Sequence, residues 1–219
     1  MKKHIAHLLF CGVYCILALI ALLADFGVLA GNLTTRPFAF YTSLSNMICS
    51  VFMAVSLIQS LRSRETALCP RCKYLFVVMI LVTAILFNLL LNPYSSLIAY
   101  FASFKNALHH LILPVLFCLD WILFYKRGTV KPCDPLWALG IPLMYVAYIL
   151  LRAFVVKSAG ITVSVLYPYF FLNIDQLGWQ GFLFWMGRLL VMLLLLAYGL
   201  YGLDRFFCRR RKLSGAYER

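Results

Sequence analysis

The chain has 219 residues, of which 64% are hydrophobic and only 12% are charged, and its mean hydropathy is +0.91. Soluble domains are about 45–50% apolar and about 25% charged, so this composition excludes an ordinary water-exposed surface. The net charge of +13 would suggest nucleic-acid binding in a soluble protein, but the charges flank apolar runs and no basic domain is present. We therefore expect one membrane domain surrounded by lipid, and no nucleic-acid partner.

Six apolar runs follow one another along the chain, each near the roughly 20 residues that a helix needs to cross a bilayer. The predicted spans are residues 5–27, 38–61, 74–92, 106–124, 137–156 and 181–203. Backbone groups in lipid need internal partners, and the short alternating runs of a barrel are absent, so the spans are predicted to be helices. The first run is too long for a secretory signal and lacks an A-x-A cleavage site, which predicts a retained helix. The predicted fold is an all-α, polytopic integral membrane protein.

The distribution of Lys and Arg predicts the orientation of these spans. With the N-terminus inside, fifteen of the 20 basic residues are cytoplasmic, four are outside and Arg188 lies within the last span. The cytoplasmic set is Lys2, Lys3, Arg62, Arg64, Arg71, Lys73, Lys126, Arg127, Lys131, Arg205, Arg209, Arg210, Arg211, Lys212 and Arg219, and the outer set is Arg36, Lys105, Arg152 and Lys157. We expect both termini in the cytoplasm, a plasma or inner membrane location, and a basic tail over residues 204–219 that attracts anionic headgroups.

The spacing of the cysteines favours ordinary reduced thiols, and we expect no metal site and no cofactor. Cys69, Cys72, Cys133 and Cys208 all fall on the predicted cytoplasmic side, where four thiols have the right chemistry for zinc. A single C-x-x-C motif and a reducing cytoplasm favour ordinary reduced thiols instead. The other four cysteines lie within spans, where cysteine behaves as a small apolar residue.

Polar side chains within and beside the spans concentrate in the predicted outer half of the membrane. They are Asp25, Thr42, Ser43, Ser45, Asn46, Asn88, His109, His110, Arg152 and Arg188. Of the ionisable residues, only Asp120 falls clearly in the inner half, with His7 at its edge, and Asp120 is predicted to be a polar anchor near the interface. Because ionisable groups in lipid usually face an interior or a cavity, this separation predicts a polar cavity that opens toward the outer leaflet.

Spacing places several of these groups together. Thr42, Ser45 and Asn46 are related as i, i+3 and i+4 and share one helix face. A threonine hydroxyl becomes a nucleophile when a base takes its proton, and a histidine suits that role. His109 and His110 are about 100° apart on an α-helix, so we expect only one to point inward.

The remaining polar candidates have two interpretations. In the functional one, Ser45, Asn46, Arg188 and Arg152 bind the substrate, and the arginines hold an oxyanion or a lipid carboxylate. In the structural one, the small polar groups bond across helices and Arg188 pairs with Asp25 or Asp175. Pro114, four residues after His110, frees a carbonyl and bends its helix in either case. The aromatic stretch 167–171 is typical of an interfacial segment.

Three motifs resemble a known family. FYTSLSN at residues 40–46 resembles the "FT-x-x-SN" signature of the bacterial Pr-six-Pr family of six-pass membrane proteins. HLILP at 110–114 with LDW at 119–121 resembles the "H-x-x-x-P … LDW" helix of that family. YPYFFLN at 167–173 resembles its "YPYPFLD" loop, with Phe170 and Asn173 in place of Pro and Asp. The matches occur in the same order along most of the chain.

That family is distantly similar to the eukaryotic androgen-induced-gene family of membrane threonine hydrolases, which cleave fatty acid esters of hydroxy fatty acids. The resemblance implies that Thr42 is a nucleophile and that His109 or His110 is its base. The eukaryotic pattern matches His109 and the bacterial pattern matches His110. The resulting expectation is a Thr/His hydrolase of a lipid ester. The alternatives are a binding or transport protein for an anionic lipid or small solute, held by Arg188 and Arg152, and a non-catalytic structural subunit.

Overall fold

Six long helices form the fold, in a computed structural model that describes residues 2–63, 65–94 and 96–214, with side chains up to residue 210. The helices are α1 (Lys2–Asp25), α2 (Tyr41–Ser63), α3 (Pro70–Leu91), α4 (Phe104–Phe124), α5 (Asp134–Ser158) and α6 (Ile174–Ser214). All six are long and apolar enough to cross a membrane, which confirms the predicted all-α class. Arg64 and the last five residues of the predicted tail, which include Arg219, lie outside the described residues.

The helices differ in how much of their surface packs inside the protein. In α4, 56% of the most apolar window is buried, whereas the figure is 11% in both α5 and α6. Large apolar side chains such as Leu9, Leu151 and Leu195 are more than 60% exposed on the outside of the bundle. Helix α4 is therefore central and α5 and α6 are peripheral, and the exposed apolar surface suits a lipid environment.

Consecutive helices run antiparallel and define two ends of the bundle. Ser43 at the start of α2 donates to Asp25 at the end of α1, whereas His7 at the start of α1 contacts Ser60 at the end of α2. We call these the Thr42 end and the termini end. The loop after α4 reaches the last turns of α6, because the Gly128 N–H donates to Asp204 at 2.9 Å. Both described termini thus lie at the same end.

The termini end holds a buried ion pair. Lys73 Nζ lies 2.8 Å from Asp120 Oδ2, and both side chains are 0% exposed. Lys73 was expected among the cytoplasmic cations, one residue before span three, but helix α3 begins at Pro70 and carries this side chain into the core. The predicted interfacial anchor Asp120 is likewise fully buried, since Lys73 supplies the counter-charge that a lipid-facing carboxylate would lack.

Wide turns interrupt two helices at the Thr42 end. Residues Phe87–Leu91 at the end of α3 and Leu108–Ile112 within α4 are π-helical. In α4 the Leu113 N–H donates to the Leu108 carbonyl, and Pro114 has no N–H, so the carbonyls of His109 and His110 lose their helical partners. Side-chain amides replace them. Asn46 donates to the His109 carbonyl at 3.2 Å and Asn88 to the His110 carbonyl at 3.4 Å.

The aromatic loop before α6 turns into the bundle at this end. Tyr169 stacks on Phe171, with ring centroids 5.2 Å apart, and Phe171 is buried. Gly178, with φ 64° and ψ 174°, then separates a first short turn from the main rod of α6. The stretch expected at the membrane interface therefore contributes a side chain, Tyr169, to the interior of the Thr42 end.

Candidate functional site

Two cavities meet at Thr42. A polar cavity of about 590 Å³ is lined by charged and imidazole groups, and an apolar cavity of about 490 Å³ lies among α2, α3, α5 and α6. The polar cavity is lined among others by Asp25, Arg36, Thr42, Lys105, His109 and His110. Thr42, Phe87, Leu91 and Tyr169 line both cavities. The predicted nucleophile and both predicted bases thus share one hollow.

Thr42 is fixed through its backbone and only weakly through its hydroxyl. Its carbonyl accepts from Asn46 Nδ2 at 2.8 Å and from Ser45 Oγ at 3.0 Å. The hydroxyl lies 3.4 Å from the Tyr169 hydroxyl, which is a long and weak hydrogen bond. Thr42 is the second residue of α2, so negative charge that develops on its oxygen would face the positive end of the helix dipole.

His109 has the arrangement of a general base. Its Nδ1 lies 3.1 Å from the Lys105 carbonyl, and because a carbonyl only accepts, Nδ1 carries the proton. The lone pair is therefore on Nε2, which has no hydrogen-bond partner among residues 2–63, 65–94 and 96–210. Nε2 lies 3.7 Å from Asp25 Oδ2 within the polar cavity. A proton accepted at Nε2 would be stabilised by this carboxylate.

The sequence places Asp25 among the polar groups of the predicted outer cavity but gives it no catalytic or binding role, apart from a possible ion pair with Arg188. The structure pairs it with Lys105 at 2.7 Å and with the Ser43 hydroxyl at 2.5 Å. These contacts orient the carboxylate, which is about 10% exposed. The feature of the sequence that could have identified Asp25 is its position at the outer end of span one, at the same predicted depth as the first turn of span four.

His110 occupies the same cavity in a different way. Its ring stacks on Phe87 at a centroid distance of 3.5 Å and an interplanar angle of 7°. The expectation that one histidine would point inward assumed α-helical geometry, whereas the π-turn reduces the angle between adjacent residues and both rings line the polar cavity. His110 therefore packs as part of the wall between the two cavities.

Ser45 and Asn46, which were predicted to bind substrate, lie behind the cavities rather than in their lining. The Ser45 hydroxyl is 2.7 Å from the Thr83 hydroxyl on α3, and both side chains are buried. Asn46 connects the carbonyls of Thr42 and His109 and so ties α2 to α4. Their contacts position Thr42 and His109.

The two predicted arginines lie outside the polar cavity. Arg188 is exposed and sits 4.1 Å over the Phe184 ring, on the surface of α6. Arg152 donates to the carbonyls of Val165 and Leu166 at 3.0 and 3.1 Å, which holds the loop before α6. The basic groups that line the cavity are Arg36 and Lys105, two other members of the predicted outer set.

All eight cysteines are free thiols. Over the described chain, Cys69, Cys72, Cys133 and Cys208 do not gather into a group with metal-ligand spacing. The one group of three potential ligands found in that part of the chain is His7, Cys11 and Asp120 at the termini end.

Fold and site together define a six-helix membrane protein with a Thr/His cavity at one end of the bundle. Comparisons with protein-family models, with curated proteins and with solved structures find no match to this chain. A function is therefore inferred from the geometry around Thr42 and from the three sequence motifs.

Proposed function

We propose that this protein is a membrane-embedded hydrolase of long-chain lipid esters, with Thr42 as nucleophile and His109 as base. The observation that carries the proposal is the position of Thr42 at the junction of a polar and an apolar cavity. An acyl chain in the apolar cavity would bring its ester carbonyl to Thr42, and the alcohol part of the substrate would enter the polar cavity. Apolar lining with few polar groups is typical of such ligand sites.

The proposed reaction has two steps. Thr42 Oγ1 attacks the ester carbonyl while its proton passes to His109 Nε2, and the ester C–O bond then breaks as the leaving alcohol takes that proton. Water, deprotonated by the same nitrogen, then attacks the acyl-threonine carbonyl; the bond to Thr42 Oγ1 breaks, His109 returns the proton to Oγ1, and the fatty acid is released. To begin the reaction, the Thr42 hydroxyl exchanges its long contact with Tyr169 for one with His109, directly or through one water.

Tyr169 assists by donating a hydrogen bond. Burial raises the pKa of the Tyr169 hydroxyl, so the phenol stays protonated at neutral pH. A protonated phenol beside Thr42 can donate to the oxygen that becomes negative in the tetrahedral intermediate. The N-terminus of α2 adds the favourable end of its dipole at the same place.

Covalent labelling tests the proposal directly. The purified protein in detergent is treated with an alkyl fluorophosphonate, and the modified peptide is identified by mass spectrometry. We expect one adduct per chain at Thr42, formed more slowly in His109→Gln than in His110→Gln, because only His109 has a carboxylate beside its free nitrogen. A folded protein that remains unlabelled, or that is labelled elsewhere, contradicts the proposal.

Asp25→Asn is expected to lower kcat by roughly 10–100-fold with little change in KM, because the imidazolium of His109 loses its nearby negative charge. Hydrolysis of a long-chain ester by the purified variant measures both constants. Asp175→Asn is the matched control, since Asp175 pairs with Lys157 at the surface outside both cavities. Equal kcat in Asp25→Asn and wild type would remove Asp25 from the mechanism.

Met186→Trp is expected to shorten the acyl chain that the protein accepts. Met186 lines the apolar cavity, and the larger indole would fill part of its volume. We expect roughly tenfold slower turnover of long-chain esters and unchanged turnover of a butyrate ester. Leu195→Trp on the outer surface of α6, where Leu195 is 71% exposed, serves as the control. The same loss for both chain lengths would show that this cavity does not hold the acyl chain.

We also propose that both termini are cytoplasmic and that the Thr42 end faces outward, in the plasma or inner membrane. The excess of Lys and Arg at the termini end supports this orientation. A fluorescent protein fused after residue 219 would fluoresce in this topology, whereas a periplasmic phosphatase fused there would be inactive. An active phosphatase fusion would reverse the orientation.

Binding of an anionic amphiphile is the second candidate function. Arg36 and Lys105 line the polar cavity next to the apolar one, so a negatively charged headgroup has cationic partners there. Retention of a radiolabelled fatty acid by Thr42→Ala, without turnover in wild type, would favour binding over catalysis.

A further inference from the structure

Three potential metal-ligand atoms converge at the termini end, far along the bundle from Thr42. They are His7 Nε2, Cys11 Sγ and Asp120 Oδ1, and all three residues are 0% exposed. Nε2 lies 3.3 Å from Sγ and 3.3 Å from Oδ1, and all three atoms fall within 4.8 Å of one another. His7 and Cys11 are one turn apart on the same face of α1, and Asp120 approaches from α4.

The hydrogen bonds around His7 fix its tautomer. The Ser60 hydroxyl donates its only proton to the Glu65 carbonyl at 2.7 Å. The same oxygen lies 2.9 Å from His7 Nδ1, so it accepts and Nδ1 carries the ring proton. In the neutral ring Nε2 therefore carries a lone pair, which the Cys11 thiol faces at 3.3 Å, and the same nitrogen lies 3.3 Å from Asp120 Oδ1. A metal ion that replaces the thiol proton would contact all three atoms.

Lys73 satisfies only the other carboxylate oxygen. Its ammonium is 2.8 Å from Asp120 Oδ2, over the Phe117 ring at 3.2 Å. Beyond this ion pair, neither carboxylate oxygen has a hydrogen-bond partner among the described residues, and Oδ1 is the one that lies 3.3 Å from His7 Nε2. Asp120 thus has one oxygen paired with Lys73 and one directed at the imidazole and the thiol.

We propose that His7 Nε2, Cys11 Sγ and Asp120 Oδ1 bind one transition-metal ion, with Zn²⁺ as the ion this ligand set favours, and that the ion clamps α1 to α4. Donors bound to one tetrahedral zinc lie roughly 3.3–3.7 Å apart, which the two 3.3 Å separations match. A ligating histidine usually donates its other N–H to an oxygen, and Ser60 receives it here. Binding displaces the Cys11 thiol proton to solvent as the metal–sulfur bond forms.

Because the site is fully buried, the metal is supplied during synthesis. The protein is expressed in medium supplemented with Zn²⁺ or with Co²⁺, in a background where Cys69, Cys72, Cys133 and Cys208 are replaced by Ser, and is then purified in detergent. We expect about one metal ion per chain by elemental analysis. The Co²⁺ form should show a thiolate-to-cobalt charge-transfer band that Cys11→Ser removes and that Cys49→Ser, a control at another buried thiol, leaves unchanged.

The metal affinity of Lys73→Met distinguishes a metal site from a simple ion pair between Lys73 and Asp120. The ammonium competes for the same carboxylate, so its removal should raise metal affinity at least tenfold. Folded protein without bound metal in either medium overturns the proposal, as does stoichiometric metal that persists in both Cys11→Ser and Asp120→Asn. The elemental analysis is made on protein in which His7, Cys11 and Asp120 are intact, so its result does not depend on whether a site variant folds.

Discussion

Thr42→Ala is expected to abolish ester hydrolysis, with kcat/KM lowered at least about 10³-fold while the protein inserts and folds normally. Removal of the nucleophile leaves no atom to form the acyl intermediate. The methyl side chain fits the same half-buried position, and the Thr42 carbonyl keeps the hydrogen bonds that the side chains of Ser45 and Asn46 donate to it. Turnover of a long-chain ester by purified protein, together with thermal unfolding in detergent, measures both parts of the expectation.

Two further variants complete that experiment. Thr42→Ser keeps the hydroxyl and should retain activity, reduced by about tenfold because the oxygen is less restrained without its methyl group. Thr129→Ala, in the exposed loop at the termini end, should behave as wild type. Activity in Thr42→Ala comparable with wild type would end the threonine mechanism, although the fold would be unaffected.

The sequence predicts the helices well because bilayer thickness restricts them. A run of about 20 apolar residues has few other structures in lipid, and the six predicted spans match the six helices to within a few residues at most ends. The largest differences are at α6, which continues to Ser214 rather than ending at residue 203. It also begins at Ile174 rather than near residue 181, because Gly178 joins a short polar turn to the main rod. Hydropathy does not detect such a turn.

The site was harder to predict because it depends on departures from ideal helices. The π-turn at Leu108–Ile112 turns both histidines into the polar cavity, and no periodicity argument contains it. Membrane depth alone does not select the partner of Asp25, because Lys105 and Arg188 both fall in the predicted outer half, whereas the structure pairs Asp25 with Lys105. Predicted depth in the membrane shows which residues lie at the same level. Which of these residues are in contact depends on the direction of each side chain and on which helices are neighbours.

Lys73 shows a related difficulty at the opposite end. A lysine beside a predicted span is normally expected to extend into the headgroup region. Its burial depends on one distant residue, Asp120, which lies on a helix that is not adjacent in sequence. The pattern of charges along the sequence is compatible with a Lys73 side chain in the headgroup region or in the core, and the contact with Asp120 in the folded protein places it in the core.

Asp120→Asn is expected to destabilise the metal-free protein by about 3–5 kcal/mol, because it leaves the buried Lys73 ammonium without a counter-charge. Both side chains are 0% exposed, so water does not replace the lost interaction. Thermal unfolding in detergent should show the loss as a large fall in Tm. Asp175→Asn removes a carboxylate of an exposed pair and should shift Tm by far less.

The double variant Lys73→Met/Asp120→Asn distinguishes a charge effect from a packing effect. Methionine roughly matches the aliphatic length of lysine and can pack against Met53 and Phe117, which already contact Lys73. With both charges removed, we expect most of the stability lost in Asp120→Asn to return, because no unpaired ion remains in the core. If the double variant is as unstable as the sum of the single variants, the two residues act independently. In that case Lys73 and Asp120 stabilise the core by their shape and by neutral hydrogen bonds. If an unpaired charge were the cause of the instability, removing both charges would restore stability.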